Sequence, residues 1–91
     1  LAAIIVSGPD ESDVDEVARR FSRSAPQAQD FKVLGPAPAP LALLRGSHRR
    51  RLLVRTTRSV RIQDRLQPWL ASVKLPNAVR VQVDIDPYSF L

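Results

Sequence analysis

Apolar and polar positions follow two different periods along this chain, and they predict six elements in the order β-α-β-β-α-β. Residues 1–7 form an almost continuous apolar run that ends at Gly8 and Pro9, which is typical of a buried central strand. A helix is predicted over residues 10–25, because its apolar positions recur at helical spacing and define one face. These positions are Val14, Val17, Ala18, Phe21 and Ala25.

The middle of the chain contains two strand patterns separated by a proline-rich segment. Phe31–Leu34 is predicted as a short second strand. Alternating prolines then exclude a helix, so residues 35–47 are predicted to be a proline-rich extended connection within a single domain that spans residues 1–91. Arg49–Arg55 follows as a third strand. Its two sides are predicted to carry Arg50, Leu52 and Val54 on one and Arg49, Arg51, Leu53 and Arg55 on the other.

The last third of the chain predicts a helix and a strand. The helix covers residues 59–74, and Pro68 within it is expected to kink it or to remove one hydrogen bond. Its apolar positions are Ile62, Leu66, Trp69, Leu70 and Val73. From Val79 to Ile85, branched apolar residues alternate with polar ones, as in a strand with one buried face. The expected fold class is therefore α+β, a sandwich with two helices packed on one face of a four-stranded mixed or antiparallel sheet.

The composition is that of a small folded domain, since 44% of the residues are hydrophobic and 25% are charged. The chain has no cysteine, which excludes disulfides and thiolate metal sites. It has no apolar run long enough to span a membrane, and it begins without methionine or the basic leader of a signal peptide. We therefore expect a cytoplasmic fragment of a longer protein, without a membrane partner.

Positive charge is concentrated in the second half of the chain. Residues 1–44 carry four bases and six acids, whereas residues 45–91 carry ten bases and three acids, which accounts for the net charge of +5. Eight arginines lie between positions 45 and 65, and Asp64 is the one acid in that span. They are Arg45, Arg49, Arg50, Arg51, Arg55, Arg58, Arg61 and Arg65. So much like charge predicts an anionic partner, because local acids are too few to neutralise it.

A nucleic-acid backbone is the partner that best explains this density of arginine, whose guanidinium fork matches phosphate. The predicted third strand has no aromatic side chain on which bases can stack. We therefore expect contacts with phosphate and weak sequence specificity. The candidate DNA-binding residues are Arg45, Arg49, Arg51, Arg55 and Arg65.

No set of residues in the sequence predicts catalysis. His48 is the only histidine, and the sequence places no acid or nucleophile beside it. Asp84 and Asp86 share one side of the last strand, but no third metal ligand is visible near them. Both features are expected to be ordinary surface groups. We expect this chain to have no enzymatic activity, cofactor or metal site of its own.

Four short motifs follow one another between positions 33 and 87. They are residues 33–40 (VLGPAPAP), 46–53 (GSHRRRLL), 60–63 (VRIQ) and 81–87 (VQVDIDP). In this order they resemble the C-terminal domain of the PriA family of replication-restart helicases, also called primosomal protein N′. That family has a proline-rich segment, an arginine-rich strand, a helix that opens V-R-L-Q and a closing V-x-V-D-V-D-P strand.

The resemblance implies the last domain of an ATP-dependent 3′-to-5′ DNA helicase that restarts replication and assembles the primosome. In the family, ATP, magnesium and zinc are bound by upstream domains, and the C-terminal domain packs against that helicase core. The domain is associated with branched or single-stranded DNA and with the acidic tail of single-stranded DNA-binding protein. The tail site implied here is Arg58, Arg61 and Gln63. The family's basic position falls on Ser59 in this chain, and Arg58 beside it is the expected substitute.

Two alternatives to DNA binding stay open at the level of sequence. The first is a stand-alone α+β regulatory module whose arginines bind a small anion. The second is a structural brace for the helicase lobes, in which the basic face is buried against them. An enzyme of acylphosphatase type is least favoured, because the single asparagine, Asn77, is predicted to lie in a loop.

Overall fold

A computed structural model describes residues 1–57 and 61–85 of the chain. Its elements run in the predicted order β-α-β-β-α-β. They are β1 (Ala2–Gly8), α1 (Glu11–Ser24), β2 (Phe31–Leu44), β3 (Ser47–Thr56), α2 (Ile62–Ala71) and β4 (Arg80–Ile85). Within the described ranges, neither helix combines the length and the apolar character needed to cross a membrane.

The four strands form one sheet in the order β2-β3-β1-β4, and every neighbouring pair is antiparallel. Both helices pack on the same face, so the predicted fold class is confirmed, with an antiparallel sheet. The central strand β1 fixes the orientation of its neighbours, since Ile4 lies opposite Leu52 on one side and Val83 on the other. These three side chains face the helices, and the residues on either side of each one along its strand face away.

Helix α1 begins at a side-chain cap. The Oδ1 atom of Asp10 accepts hydrogen bonds from the backbone N–H groups of Ser12 (2.9 Å) and Asp13 (3.1 Å). This satisfies N–H groups that have no partner within the helix. The predicted apolar face is confirmed for its four fully buried positions, Val14, Val17, Ala18 and Phe21.

Trp69 of α2 joins the two helices to the sheet in the centre of the core. Its ring meets those of Phe21 and Phe31 edge to face, with centroids 5.9 and 6.0 Å away. Its indole Nε1–H donates to the carbonyl oxygen of Phe21 at 3.1 Å and to Ser24 Oγ at 3.2 Å. The large apolar surface is therefore buried without leaving the indole donor unpaired.

The second strand is longer than predicted. It does not end at Leu34 but continues through the proline-rich segment to Leu44, with Ala37 opposite Arg51 and Leu43 opposite His48. Register shifts after Leu34 and after Pro38 accommodate the extra residues. The physical reason is that β2 is an edge strand, which needs hydrogen bonds on one side only and so tolerates proline.

Two glycines make the β2–β3 hairpin possible. Arg45 (φ 51°) and Gly46 (φ 77°) form a two-residue turn between Leu44 and Ser47, with both φ angles positive as in a type I′ turn. Gly35 has φ 107°, and a Cβ atom there would lie 2.8 Å from the carbonyl oxygen of Arg51. Only glycine fits where β2 crosses this part of β3.

Helix α2 is shorter than the predicted range 59–74. Arg61 has an extended backbone (φ −83°, ψ 98°) and precedes the first helical turn, while predicted residues 59 and 60 lie outside the described ranges. The helix continues through Pro68 and ends at Ala71, yet Val73 beyond it is still buried in the core. The apolar spacing therefore extended past the hydrogen-bonded helix, because Val73 packs inwards from the following segment.

Candidate functional site

Arg50 and Arg51 are neighbours on β3 and point to opposite faces of the sheet. Arg50 faces the helices, and its side chain is only 14% exposed. Its Nη2 lies 2.8 Å from Glu11 Oε2, and its Nε lies 2.8 Å from Asp15 Oδ1. Two carboxylates of α1 therefore neutralise this arginine, and it ties the helix to the sheet.

The face of the sheet that the helices leave uncovered, called the open face below, carries a group of cations. Its cations come from β2, β3 and β4, and Asp84 is its one acid among the described strand residues. These cations are Lys32, Arg49, Arg51, Arg55 and Arg80. The predicted alternation of β3 is confirmed, and it places Arg49, Arg51 and Arg55 on this face. Along the strand, Arg49 and Arg51 are about 6.7 Å apart, and Arg55 lies about 13 Å beyond Arg51 with Leu53 between them.

The contacts of these cations differ from those of Arg50. Arg49 Nη1 donates to the carbonyl oxygen of Leu41 at 3.3 Å, and Arg80 Nη1 donates to that of Asn77 at 2.8 Å. Lys32, Arg51 and Arg55 make no hydrogen bond or ion pair with any described residue. Their positive charge remains uncompensated by a nearby carboxylate.

The structure does not bring all five predicted DNA-binding arginines together. Arg49, Arg51 and Arg55 share the open face, whereas Arg45 lies exposed at the hairpin turn beyond the end of that row. Arg65 belongs to α2 in the helical layer, and its Nη2 lies 3.2 Å from Asp30 Oδ2. This pair joins residues that are 35 positions apart, so no local pattern indicates it.

Two open-face cations were missed by sequence reasoning. Lys32 lies opposite Arg55, and Arg80 lies across the sheet from Arg49 on the far side of Ser7. The alternation signal was present for both, since each is flanked by apolar residues that turn towards the helices. What the sequence lacked was the strand order, which decides whose side chains become neighbours.

The residues implied for an acidic tail lie in the helical layer. Arg61 stands at the start of α2 with its side chain 87% exposed, and its Nε is 3.8 Å from Asp64 Oδ2. Gln63 is exposed in the first turn. No side chain caps this helix N-terminus among the described residues, and the backbone N–H of Asp64 donates to the carbonyl oxygen of Arg61 at 3.1 Å. Arg58 lies outside the described ranges.

Two further titratable groups lie at the start of α1 and make structural contacts there. His48 Nδ1 lies 3.9 Å from Glu11 Oε2, beside the Arg50 cluster. Hydrogen bonds from the Asp13 backbone and the Ser12 hydroxyl lower the pKa of Asp10. Within residues 1–57 and 61–85, no three His, Asp or Glu side chains come together as metal ligands, and Asp86 of the predicted acidic pair lies beyond them.

Two further surface concavities lie at the β2 edge of the sheet and where the helix ends meet. One, of about 450 Å³, is lined by the segment between α1 and β2, and Lys32 is its one charged group. The other, of about 460 Å³, lies where the ends of α1 and α2 meet and includes Arg20 and Arg23. Both of these arginines lie within 3.5 Å of Glu16, and hydrogen bonds from Arg19 and Arg20 lower the pKa of that carboxyl group. Arg20 and Arg23 are thus already paired with a carboxylate, unlike Lys32, Arg51 and Arg55.

The family match and the related sequences all point to one protein family. The family described as primosomal protein N C-terminal domain matches residues 1–88. Replication restart protein PriA of Rickettsia felis is 39% identical over 89 residues, the protein of that name from Rickettsia conorii is 38% identical, and that from Rickettsia typhi is 36% identical. Each alignment covers 98% of this chain but 14% of the relative, so the chain spans about one seventh of their length.

Proposed function

The chain belongs to the primosomal protein N C-terminal domain family, and from this membership we propose that it is the DNA-binding and protein-docking domain of a replication-restart helicase. In this proposal the open face binds the phosphate backbone of branched or single-stranded DNA. Lys32, Arg51 and Arg55 supply the free positive charge, and Arg49 and Arg80 extend it along the sheet.

One observation carries this proposal: among the described residues, Arg50 is neutralised on one side of the sheet, whereas Lys32, Arg51 and Arg55 have no carboxylate partner on the other. Arg50 has two carboxylates at 2.8 Å, whereas Arg51, one residue later, has none among the described residues. Five cations and one acid among the described strand residues of the open face repel one another unless a polyanion or solvent screens them. Phosphate oxygens match both the charge and the donor geometry of arginine.

The activity of the whole protein is proposed from its relatives. The relatives are named replication restart protein PriA, and the family resemblance implies ATP-driven unwinding of DNA in the 3′-to-5′ direction with assembly of the primosome. ATP, magnesium and zinc would be held by other parts of such a polypeptide. These 91 residues would contribute DNA contacts and docking, and no catalytic step.

Charge reversal on the open face tests the DNA contact. The double variant Arg51→Glu, Arg55→Glu is compared with Arg23→Glu, Lys74→Glu, which changes the net charge equally but alters exposed cations of the helical layer. We expect the first variant to bind single-stranded and forked DNA at least about tenfold more weakly at low salt. Its plot of log affinity against log salt should lose about 1.5 units of slope, the amount given by two lost phosphate contacts.

Binding is measured by fluorescence anisotropy over a range of salt concentrations, with circular dichroism to show that both variants are folded. If the two variants lose affinity equally, net charge alone matters and the open face has no special role. If the unchanged chain shows no salt-dependent binding at low salt, direct DNA contact by this domain is excluded.

A second proposed contact is the acidic tail of single-stranded DNA-binding protein, at the start of α2. Arg61 is almost fully exposed there, Gln63 is exposed in the first turn, and the helix N-terminus has no side-chain cap among the described residues. A carboxylate would gain from the cation and from the positive end of the helix. Arg58, three positions earlier, completes the proposed site.

This contact is tested with a synthetic peptide of the acidic tail and calorimetry. We expect Arg61→Glu to abolish peptide binding, while the open-face variant Arg55→Glu, with the same change in charge, retains at least half of the affinity. Unchanged binding to the Arg61→Glu variant would remove α2 from the tail site.

A brace against the rest of the same polypeptide is supported by exposed leucines on β2. Leu34, Leu41, Leu43 and Leu44 are 50%, 66%, 60% and 40% exposed, which is a large apolar area for a free surface. The double variant Leu43→Ser, Leu44→Ser should lower the melting temperature of the full-length protein and leave DNA affinity of the 91-residue chain unchanged. An unaltered full-length melting temperature would argue against the brace.

A further inference from the structure

The open face contains a concavity of about 250 Å³ above the central strand. Its floor is formed by Ala3 and Ile5 of β1, of which Ala3 is 5% exposed. The depression arises from residue size, because the methyl group of Ala3 lies in one cross-strand row between the longer side chains of Leu53 and Asp84. An apolar floor with polar groups around it is the usual make-up of a small-molecule site.

The walls of this concavity combine cations on one side with hydrogen-bonding groups on the other. Arg49 and Arg51 come from β3, and Gln82 comes from β4, directly opposite Arg51 across Ile5. Leu41 forms the remaining side. Its backbone is in the left-handed region (φ 55°), which is unfavourable for leucine, and its carbonyl accepts the hydrogen bond from Arg49.

Asp84 shows that the concavity itself is not built for a phosphate group. It lines the site, and its carboxylate has no ion pair or hydrogen bond with any described residue. A carboxylate accepts hydrogen bonds and repels phosphate, so the groups of a DNA strand that suit it are neutral ones that carry N–H donors. The edges of nucleobases carry such donors on a flat apolar body.

Resting on the proposed DNA contact, we propose that this concavity holds one unstacked base of a bound single strand. The base lies over Ile5 with its Watson–Crick edge towards Asp84 and Gln82, and Arg51 contacts its face or its flanking phosphate. The guanidinium plane takes the stacking role that aromatic rings have in other single-strand binders. The surrounding cations, Lys32 and Arg55, hold the neighbouring phosphates.

The chemistry of Asp84 gives the site a base preference. Cytosine, adenine and guanine each present an exocyclic amino group that a carboxylate accepts, whereas thymine presents carbonyl oxygens on both sides of its ring N–H. Asp84 therefore favours the three amino-bearing bases, and oligothymidine is the disfavoured ligand. The phosphate contacts alone provide no such discrimination.

The first experiment separates base from backbone. Two single-stranded oligonucleotides of equal length and charge are titrated against the 91-residue chain at low salt, one of oligodeoxycytidine and one in which the central sites are abasic. We expect the abasic strand to bind about tenfold more weakly with the same salt slope. Equal affinities with a clear salt slope overturn the base site and leave the phosphate contact intact. Absence of binding by both strands overturns the phosphate contact as well.

The second experiment assigns the preference to Asp84. The ratio of affinities for oligodeoxycytidine and oligodeoxythymidine is measured for the unchanged chain, for Asp84→Ala and for the control Asp64→Ala. Asp64 is 72% exposed on α2, so its removal adds the same charge away from the open face. We expect the ratio to be about fivefold in the unchanged chain and in the control, and to approach one in Asp84→Ala. A ratio of one in the unchanged chain, or a ratio that Asp84→Ala leaves unaltered, overturns the proposal.

Discussion

The two faces of the sheet treat the same side chain in opposite ways. Arg50 is 14% exposed and lies between two carboxylates of α1, whereas Arg51 faces outwards and meets no carboxylate among the described residues. The two are consecutive in sequence and identical in chemistry. The difference comes from the alternation of a strand, which sends one towards the helices and the other towards solvent.

This contrast shows that a cluster of arginines in the sequence does not measure the charge available to a partner. Arg50 and Arg65 are used to join elements, with Glu11, Asp15 and Asp30 as their acceptors. Lys32 and Arg80 lie outside the arginine-rich span and yet contribute to the open face. Available charge is thus set by strand parity and strand order together.

The largest expected effect contrasts the neighbouring leucines of β3. Leu52 is fully buried beneath the helices, and Leu53 lies half-buried on the open face. Leu52→Ala should lower the free energy of unfolding by about 2–5 kcal/mol, because it leaves a cavity in the core. Leu53→Ala should cost about 1 kcal/mol or less. Chemical denaturation of both variants measures the difference, and equal losses would contradict a one-sided core.

An intermediate effect contrasts the two arginines. Arg50→Ala should lower the free energy of unfolding by about 1–2 kcal/mol, since it leaves Glu11 and Asp15 without their cation. The salt slope of its DNA binding should not change. Arg51→Ala should do the reverse, with stability nearly unchanged and the slope smaller by about 0.7–0.9. Denaturation and salt titration of both variants provide the test. A smaller salt slope of DNA binding in Arg50→Ala would contradict the assignment of the two arginines to different roles.

The smallest expected effect concerns the helical side of the sheet, where the cap of α1 makes stability depend on pH. Hydrogen bonds to the charged carboxylate of Asp10 lower its pKa below the ordinary value of 3.8. Asp10 therefore adds stability to the fold at pH values above 3.8. The added stability is lost as the pH falls through the lowered pKa of the folded state. Asn accepts the same capping bonds without titrating. Asp10→Asn should therefore weaken the loss of stability below pH about 4 and leave stability near neutral pH almost unchanged. Thermal melts from pH 7 to pH 3 measure this, and an identical acid profile would contradict the assignment.

Local patterns predicted most of the fold. The period of β3 correctly divided Arg50, Leu52 and Val54 from the residues between them, and the spacing of α1 identified its buried face. The length of β2 was not predicted, because prolines are unfavourable in a central strand. They are tolerated here because β2 lies at the edge of the sheet, which the sequence alone does not show. The concavity of the open face also depends on register, since its lining residues come from all four strands side by side. Strand order and register depend on pairing between segments that are distant in sequence, so local periodicity does not predict them.

The single tryptophan offers an optical separation of folding from binding. Trp69 is 4% exposed and is enclosed by Phe21 and Phe31 on the helical side, with the sheet between it and the open face. Its fluorescence emission should shift to longer wavelength when the core opens and stay constant when DNA occupies the far face. One sample can then report unfolding from its intrinsic emission and DNA binding from a labelled oligonucleotide, without interference between the two signals.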